Sequence, residues 1–228
     1  MIGKQRDVPY VGPIMKIEIW SDVVCPWCYL GTRRLELALE GFEHRDEVEV
    51  VHRSYQLDPS APTDHTVETV GVLASKYGMT RAQAEQAQRE MEQRAAADGL
   101  DYHLDGQHTG NTFDAHRLLH YAAAEGKQAA LVDRLFRAYF SEQRSVFDNA
   151  ALQQLGEDAG LDAAGVAAVL ASDRYADAVA ADIEQAREYG ITGVPFFVID
   201  GRFGISGAQP AELLAGALDQ AWSAGAPA

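Results

Sequence analysis

The sequence predicts an α/β protein in which a βαβ unit near the start of the chain and a ββα unit near its end are separated by a large α-helical insertion. Three observations predict it. Lys16-Ile17-Glu18-Ile19-Trp20 alternates polar and apolar residues, as a strand with one buried face does. Beyond Tyr55-Gln56-Leu57-Asp58-Pro59 no strand pattern returns until Val194, and the chain between is rich in Ala, Gln, Glu and Arg with repeated helix-cap signals. From Val194 two short apolar runs then flank Asp200-Gly201, a strong two-residue hairpin signal.

The elements follow in order. After the first strand, Ser21 to Val24 leads into Cys25-Pro26-Trp27-Cys28, and a helix is expected to start there. Pro26 suits the first helical position, where its missing N–H costs nothing, and Leu35, Ala38, Leu39 and Phe42 recur with helical spacing before the Glu43-His44-Arg45-Asp46 loop. Val48 to Val51 reads as the next strand, parallel to the first through a right-handed crossover. In the helical middle, Thr80 with Gln83 forms a capping box and Gly99 a stop. Asn111 or Thr112 starts a helix ending at Gly126, and Leu131, Val132, Leu135, Phe136, Tyr139 and Phe140 make one amphipathic stripe that reads as core packing. Shorter helices are expected from Asp148, from Asp162, and from Ser172 or Asp173 up to Gly190. The hairpin around Asp200-Gly201 and a helix from Pro210 to Trp222 close the chain, with Ala224 to Ala228 a frayed tail.

This gives a discontinuous domain over 15–59 and 191–223, an inserted helical domain over 60–190, and an unstructured extension over 1–14. A chain of 228 residues, 47% hydrophobic, builds its core without disulfide staples. Lys plus Arg number 19 against 34 Asp plus Glu, a formal charge of −15, which excludes the phosphate neutralisation a nucleic-acid partner requires. The apolar stretches fall far short of the roughly 20 residues that cross a bilayer, so no membrane partner is expected. Met1 to Pro13 lacks the apolar core of a secretory signal, and a cytoplasmic protein is expected.

Cys25 and Cys28 are the whole thiol inventory. Cysteine attacks as the thiolate, so a redox site needs one sulfur whose pKa is pulled down and a second within reach to resolve the mixed disulfide. At a helix start Cys25 sits near unpaired N–H groups that favour negative charge, and Cys28, one turn on, is the more buried. Cys25 is therefore the expected nucleophile and Cys28 the resolving thiol. A zinc site needs four ligands and finds no second Cys pair, so no metal is expected. Asp22, three residues before Cys25, reads either as a buried acceptor for the Cys28 proton or as an exposed strand-end residue or cap.

With Cys-Pro-Trp-Cys at a helix start, Gly193-Val194-Pro195-Phe196-Phe197 before a hairpin and Ser206-Gly207-Ala208-Gln209-Pro210 before the last helix, the chain resembles the DsbA-like thioredoxin-fold superfamily over Met15 to Trp222. Asn111-Thr112-Phe113-Asp114-Ala115-His116-Arg117-Leu118 makes it most similar to the FrnE-type branch. The resemblance implies a thioredoxin fold with a helical lid and thiol–disulfide oxidoreductase activity. It also implies that Pro195 is a cis-proline facing the cysteines, and that the Val194 backbone is free to pair with a substrate strand. Pro26 and Trp27 then present the apolar contact face.

His116 lies in the family-like run and is assigned to shaping the substrate groove; His120, one turn on, has no such support. Arg117 stands where a zinc protease would carry its Glu. The leading reading is a thiol–disulfide oxidoreductase without metal or organic cofactor, acting on thiol- or disulfide-bearing proteins or small molecules, with glutathione the candidate co-substrate. The alternatives are a glutathione-dependent isomerase or transferase of the 2-hydroxychromene-2-carboxylate isomerase or kappa-class type, and a non-catalytic module that holds clients. Paired cysteines favour the redox reading over isomerisation.

Overall fold

The structure is a computed structural model and describes residues 15–225, so the expected extension over 1–14 lies outside the described residues. Strand β1 (Met15–Ser21) leads into helix α1 (Pro26–Glu40) and strand β2 (Val48–Ser54). Strands β3 (Val67–Glu68) and β4 (His108–Thr109) flank helices α2 (Thr69–Tyr77) and α3 (Arg81–Ala97). Then come α4 (Phe113–Ala124), α5 (Gln128–Phe136), α6 (Asn149–Asp158), α7 (Ala163–Leu170) and α8 (Ala176–Glu188). The hairpin β5 (Phe196–Ile199) and β6 (Phe203–Ser206) and helix α9 (Ala211–Gly225) complete the described chain.

The main sheet has the order β2-β1-β5-β6. β1 and β2 are parallel in register from Met15 opposite Val48 to Ser21 opposite Ser54, as a crossover through α1 requires. β5 runs antiparallel to β1, with Trp20 opposite Phe196. That register decides the position of the site: the chain leaving β1 toward Cys25 and the chain entering β5 through Val194-Pro195 meet at one end of the sheet.

Ile17, Ile19, Phe197 and Ile199 bury one face of the sheet with Leu35 of α1 and Leu214 and Leu218 of α9. The alternation in β1 suggests a solvated second face, but α8 covers it: Trp20 and Val198 pack with Ala186 and Ile191. Glu18 is buried there and is held by Arg53, whose Nε donates at 2.8 Å, and by Lys16 Nζ at 3.0 Å. A third core fills the insertion, with Leu118, Leu135, Phe136, Phe140 and Leu152 at its centre, and it takes in Cys25, Cys28, Tyr29 and Leu30. The insertion thus packs directly on the first turns of α1.

Four local expectations are corrected. The middle is not all helix, because β3 and β4 pair antiparallel; at two residues each they are too short to show a period. The Leu131 to Phe140 stripe is buried, but α5 passes into a π-helical turn over Arg137–Ser141. The last helix of the insertion starts at Ala176, after Tyr175 at φ 67°, and not at Ser172 or Asp173. Its start is set by the buried Arg117, whose Nη1 donates to the carbonyls of Val169, Ser172 and Arg174 at 2.7, 2.5 and 3.2 Å and turns the chain before α8. At the other end α9 runs past Trp222 to include Ala224 and Gly225, which were expected in a frayed tail; residues 226–228 lie outside the described residues.

Candidate active site

A tight turn brings Cys25 N–H back to the Asp22 carbonyl at 3.1 Å, which places Cys25 at the N-cap of α1 in extended conformation (φ −89°, ψ 112°) with Pro26 opening the helix. Cys28 N–H bonds the Cys25 carbonyl at 2.9 Å, so the two thiols stand one helical turn apart. Both cysteines are free and buried. Cys25 Sγ lies 3.7 Å from the Val194 carbonyl oxygen, and the Val194–Pro195 peptide is cis.

The helix N–H groups were expected to reach the Cys25 sulfur, yet no cap hydrogen bond forms from its side chain. A protonated thiol donates to the nearby carbonyl and accepts only weakly, whereas a thiolate accepts strongly from N–H groups. Cys28 has 0% exposure, and burial, followed by the adjacent Cys25 and the Asp22 charge, pushes its thiol well above the usual range despite a lowering contribution from the Asp22 backbone.

Asp22 is buried, not an exposed strand-end residue. Its Oδ2 accepts from Leu57 N–H at 2.7 Å, and its Oδ1 lies 3.3 Å from His116 Nε2. His116 is 1% exposed and stands behind this carboxylate, so it presents nothing to a groove, and its groove-shaping assignment is corrected. His120 turns to a different carboxylate, with Nε2 3.0 Å from Asp182 Oδ2. The two histidines of α4 therefore do not converge on a common ligand position.

Trp27, between the cysteines, is 42% exposed, and the Arg94 guanidinium of α3 sits 6.0 Å from its ring centroid. Tyr102 donates its hydroxyl to the Pro26 carbonyl at 2.8 Å, and its ring stacks on Tyr29 at 5.7 Å. Burial raises both phenols, Tyr29 to about 12. Gly31 lies on α1 where the helix crosses Pro195: a Cβ there would meet Pro195 Cγ at 2.9 Å and Phe197 Cζ at 3.3 Å. Sequence reasoning missed Gly31, Leu57, Arg94 and Tyr102. Gly31 alone left a signal, as a glycine inside an amphipathic helix pattern.

Residues 16–219 match the family model of the DSBA-like thioredoxin domain. The chain belongs to this family. A probable DsbA oxidoreductase from Streptomyces coelicolor is 50% identical, superposes with a TM-score of 0.90, and covers 94% of this chain and 92% of its own. An uncharacterized protein, YwbO, from Bacillus subtilis (strain 168) is 27% identical over 188 residues, spanning 80% of this chain and 86% of that protein. The cytosolic disulfide reductase DsbM from Pseudomonas aeruginosa, solved with GSH, shares the fold at TM-score 0.64 and 18% identity over 90% of this chain and 98% of its own. This DsbA-like chain carries the thioredoxin fold with helices α2 to α8 inserted between β2 and β5. Among the described residues no helix is long and apolar enough to cross a membrane.

Proposed function

We propose that this DsbA-like chain exchanges disulfides with thiol- or disulfide-bearing proteins or small molecules, with Cys25 as the nucleophile and Cys28 as the resolving thiol. The observation that carries the reading is the placement of Cys25 at a helix N-cap, beside the Val194 carbonyl, with Cys28 fully buried one turn behind it. Helix N–H groups and the dipole favour the Cys25 thiolate once its proton leaves. The thiolate attacks one sulfur of a substrate disulfide, forming the Cys25 mixed disulfide and releasing the first substrate thiolate. Cys28 then gives its proton to the Asp22 carboxylate, attacks Cys25 Sγ, and expels the second substrate thiolate, leaving Cys25–Cys28 oxidised. A substrate strand pairs with the backbone at Val194 while this happens, and Trp27 and Pro26 supply the apolar face.

No metal or organic cofactor enters these steps; glutathione serves as a co-substrate that returns or removes the electrons. The similarity to a reductase described as cytosolic supports a cytoplasmic setting, and the run from Asn111 to Leu118 supports the FrnE-type branch. The test is trapping. A Cys28→Ser protein is expected to accumulate mixed disulfides on Cys25 that dithiothreitol releases, with partners identified by mass spectrometry. A Cys28→Ser protein that accumulates none, or that turns over an aromatic substrate with glutathione at full rate, removes the reading.

A further inference from the structure

Beside Asp22 stands a buried histidine that the proposed steps leave unused. His116 is 1% exposed and its Nδ1 has no hydrogen-bond partner, while its Nε2 lies 3.3 Å from Asp22 Oδ1. A buried N–H without an acceptor is the costlier orphan, since a ring nitrogen without its proton leaves only a lone pair unpaired. The proton therefore belongs on Nε2, where it is donated to Asp22 Oδ1.

With Leu57 N–H on Oδ2 at 2.7 Å, each oxygen of the buried carboxylate then holds one fixed donor. An ionised carboxylate has about four lone-pair sites, so sites remain for a further proton. We propose that His116, as the Nε2–H tautomer, is the positioning residue that fixes the Asp22 carboxylate to receive the Cys28 proton during resolution. This rests on Cys28 being the resolving thiol and Asp22 its acceptor. The proton leaves Cys28 Sγ for Asp22; the Cys28–Cys25 bond forms as the Cys25–substrate bond breaks; the substrate thiolate takes a proton from water; and Asp22 later returns its proton to solvent. His116 keeps its own proton throughout. An acceptor that swings away from the sulfur by even an ångström loses on the order of tenfold to a hundredfold in rate.

The experiment separates the two chemical steps by stopped flow, following attack on a chromogenic aromatic disulfide and then release of the second thiolate. His116→Ala is expected to slow release at least tenfold and leave attack within a factor of two; His116→Gln, whose amide N–H reaches the position of Nε2, is expected to restore release. The ¹⁵N shifts of the reduced protein are expected to show the Nε2–H tautomer. Equal slowing of attack and release, no rescue by His116→Gln, or an Nδ1–H imidazole overturns the proposal. Asp22→Asn is the control for the reading beneath it: if that variant releases thiolate at the wild-type rate, Asp22 is not the acceptor and the assignment of its role fails first.

Discussion

Cys25 Sγ lies 3.7 Å from the carbonyl oxygen of Val194, and this one contact joins the end of β1 to the start of β5. As a thiol Cys25 donates to that oxygen. As a thiolate it cannot, so loss of the proton also frees the Val194 carbonyl, which is the backbone group a substrate strand would need. If substrates pair at Val194 as proposed, activation of the sulfur and opening of that edge are coupled through a single hydrogen bond.

Alkylation of the reduced protein should modify Cys25 before Cys28 by roughly tenfold or more. Cys28 is fully buried and its thiol is raised by that burial, so it stays protonated through neutral pH. The check is iodoacetamide labelling from pH 6 to 9 with peptide mapping. Preferential modification of Cys28 would reverse the assignment of roles.

Gly31→Ala should destabilise the fold by about 1 to 3 kcal/mol, because the added methyl meets the Pro195 ring at 2.9 Å and the ring has little room to give. Gly216→Ala in α9 is the matched control. It meets nothing within 4 Å, so the helix-propensity gain of up to about 1 kcal/mol should appear as added stability. Urea unfolding of both variants checks the pair, and equal effects would show that α1 does not need its close approach to Pro195.

Acid should destabilise the protein through His52. Burial drives its pKa down to about 4 from the usual 6.5, and its Nδ1 has no partner. The unfolded chain therefore binds this proton first: the stability is present above about pH 6.5 and is lost as pH falls toward 4, by about 3 kcal/mol at most. His52→Leu should flatten that part of the stability–pH curve. A curve for the variant parallel to wild type between pH 6.5 and 4 would place the acid sensitivity elsewhere.

Arg94 should favour anionic substrates at an otherwise acidic protein. Its guanidinium lies 6.0 Å from the centroid of the exposed ring of Trp27, which stands between the two cysteines. Arg94→Ala is expected to slow reaction with glutathione disulfide about threefold or more at low salt, while reaction with cationic cystamine holds or rises. The difference should shrink in 0.5 M salt, given a Debye length of only a few ångströms there. A loss that is the same for both disulfides would assign Arg94 to packing against Trp27.

The frame of the fold was legible because β1 is long enough to show a period, Asp200-Gly201 marks the turn between β5 and β6, and Thr80, Asp148 and Asp162 cap the helices they precede. The cysteines were legible by spacing. What the sequence could not show is what crosses the chain: Asp22 with His116, ninety-four residues apart, or Arg117 collecting three carbonyls before α8. Such pairs leave no local pattern, since side-chain direction depends on packing between distant elements. The buried Glu18 misled for the same reason, as a strand alternates identically whether its polar side meets water or an arginine.

The direction of electron flow depends on how strongly the site stabilises its reduced form. Thioredoxin-fold oxidoreductases span potentials from roughly −270 to −120 mV, about 7 kcal/mol for two electrons, and the oxidising end is reached when the reduced form is strongly stabilised. Here the stabilisation is partial. Cys25 stands at a helix N-terminus, but no cap hydrogen bond reaches its sulfur, no basic residue lies between the cysteines, and Cys25 already has the Val194 carbonyl as a partner in its protonated form. Cys28 is held protonated by burial and by the Asp22 charge, which keeps it from sharing the negative charge. An intermediate potential is therefore expected, above a cytosolic glutathione poise of about −220 to −260 mV, so the pair rests reduced there and Cys25 works as a reductant or isomerase thiolate. Equilibration with defined glutathione buffers, read by alkylation of the free thiols, measures it. A value near −120 mV would mean that the helix terminus alone stabilises the thiolate strongly, and the protein would then be an oxidant.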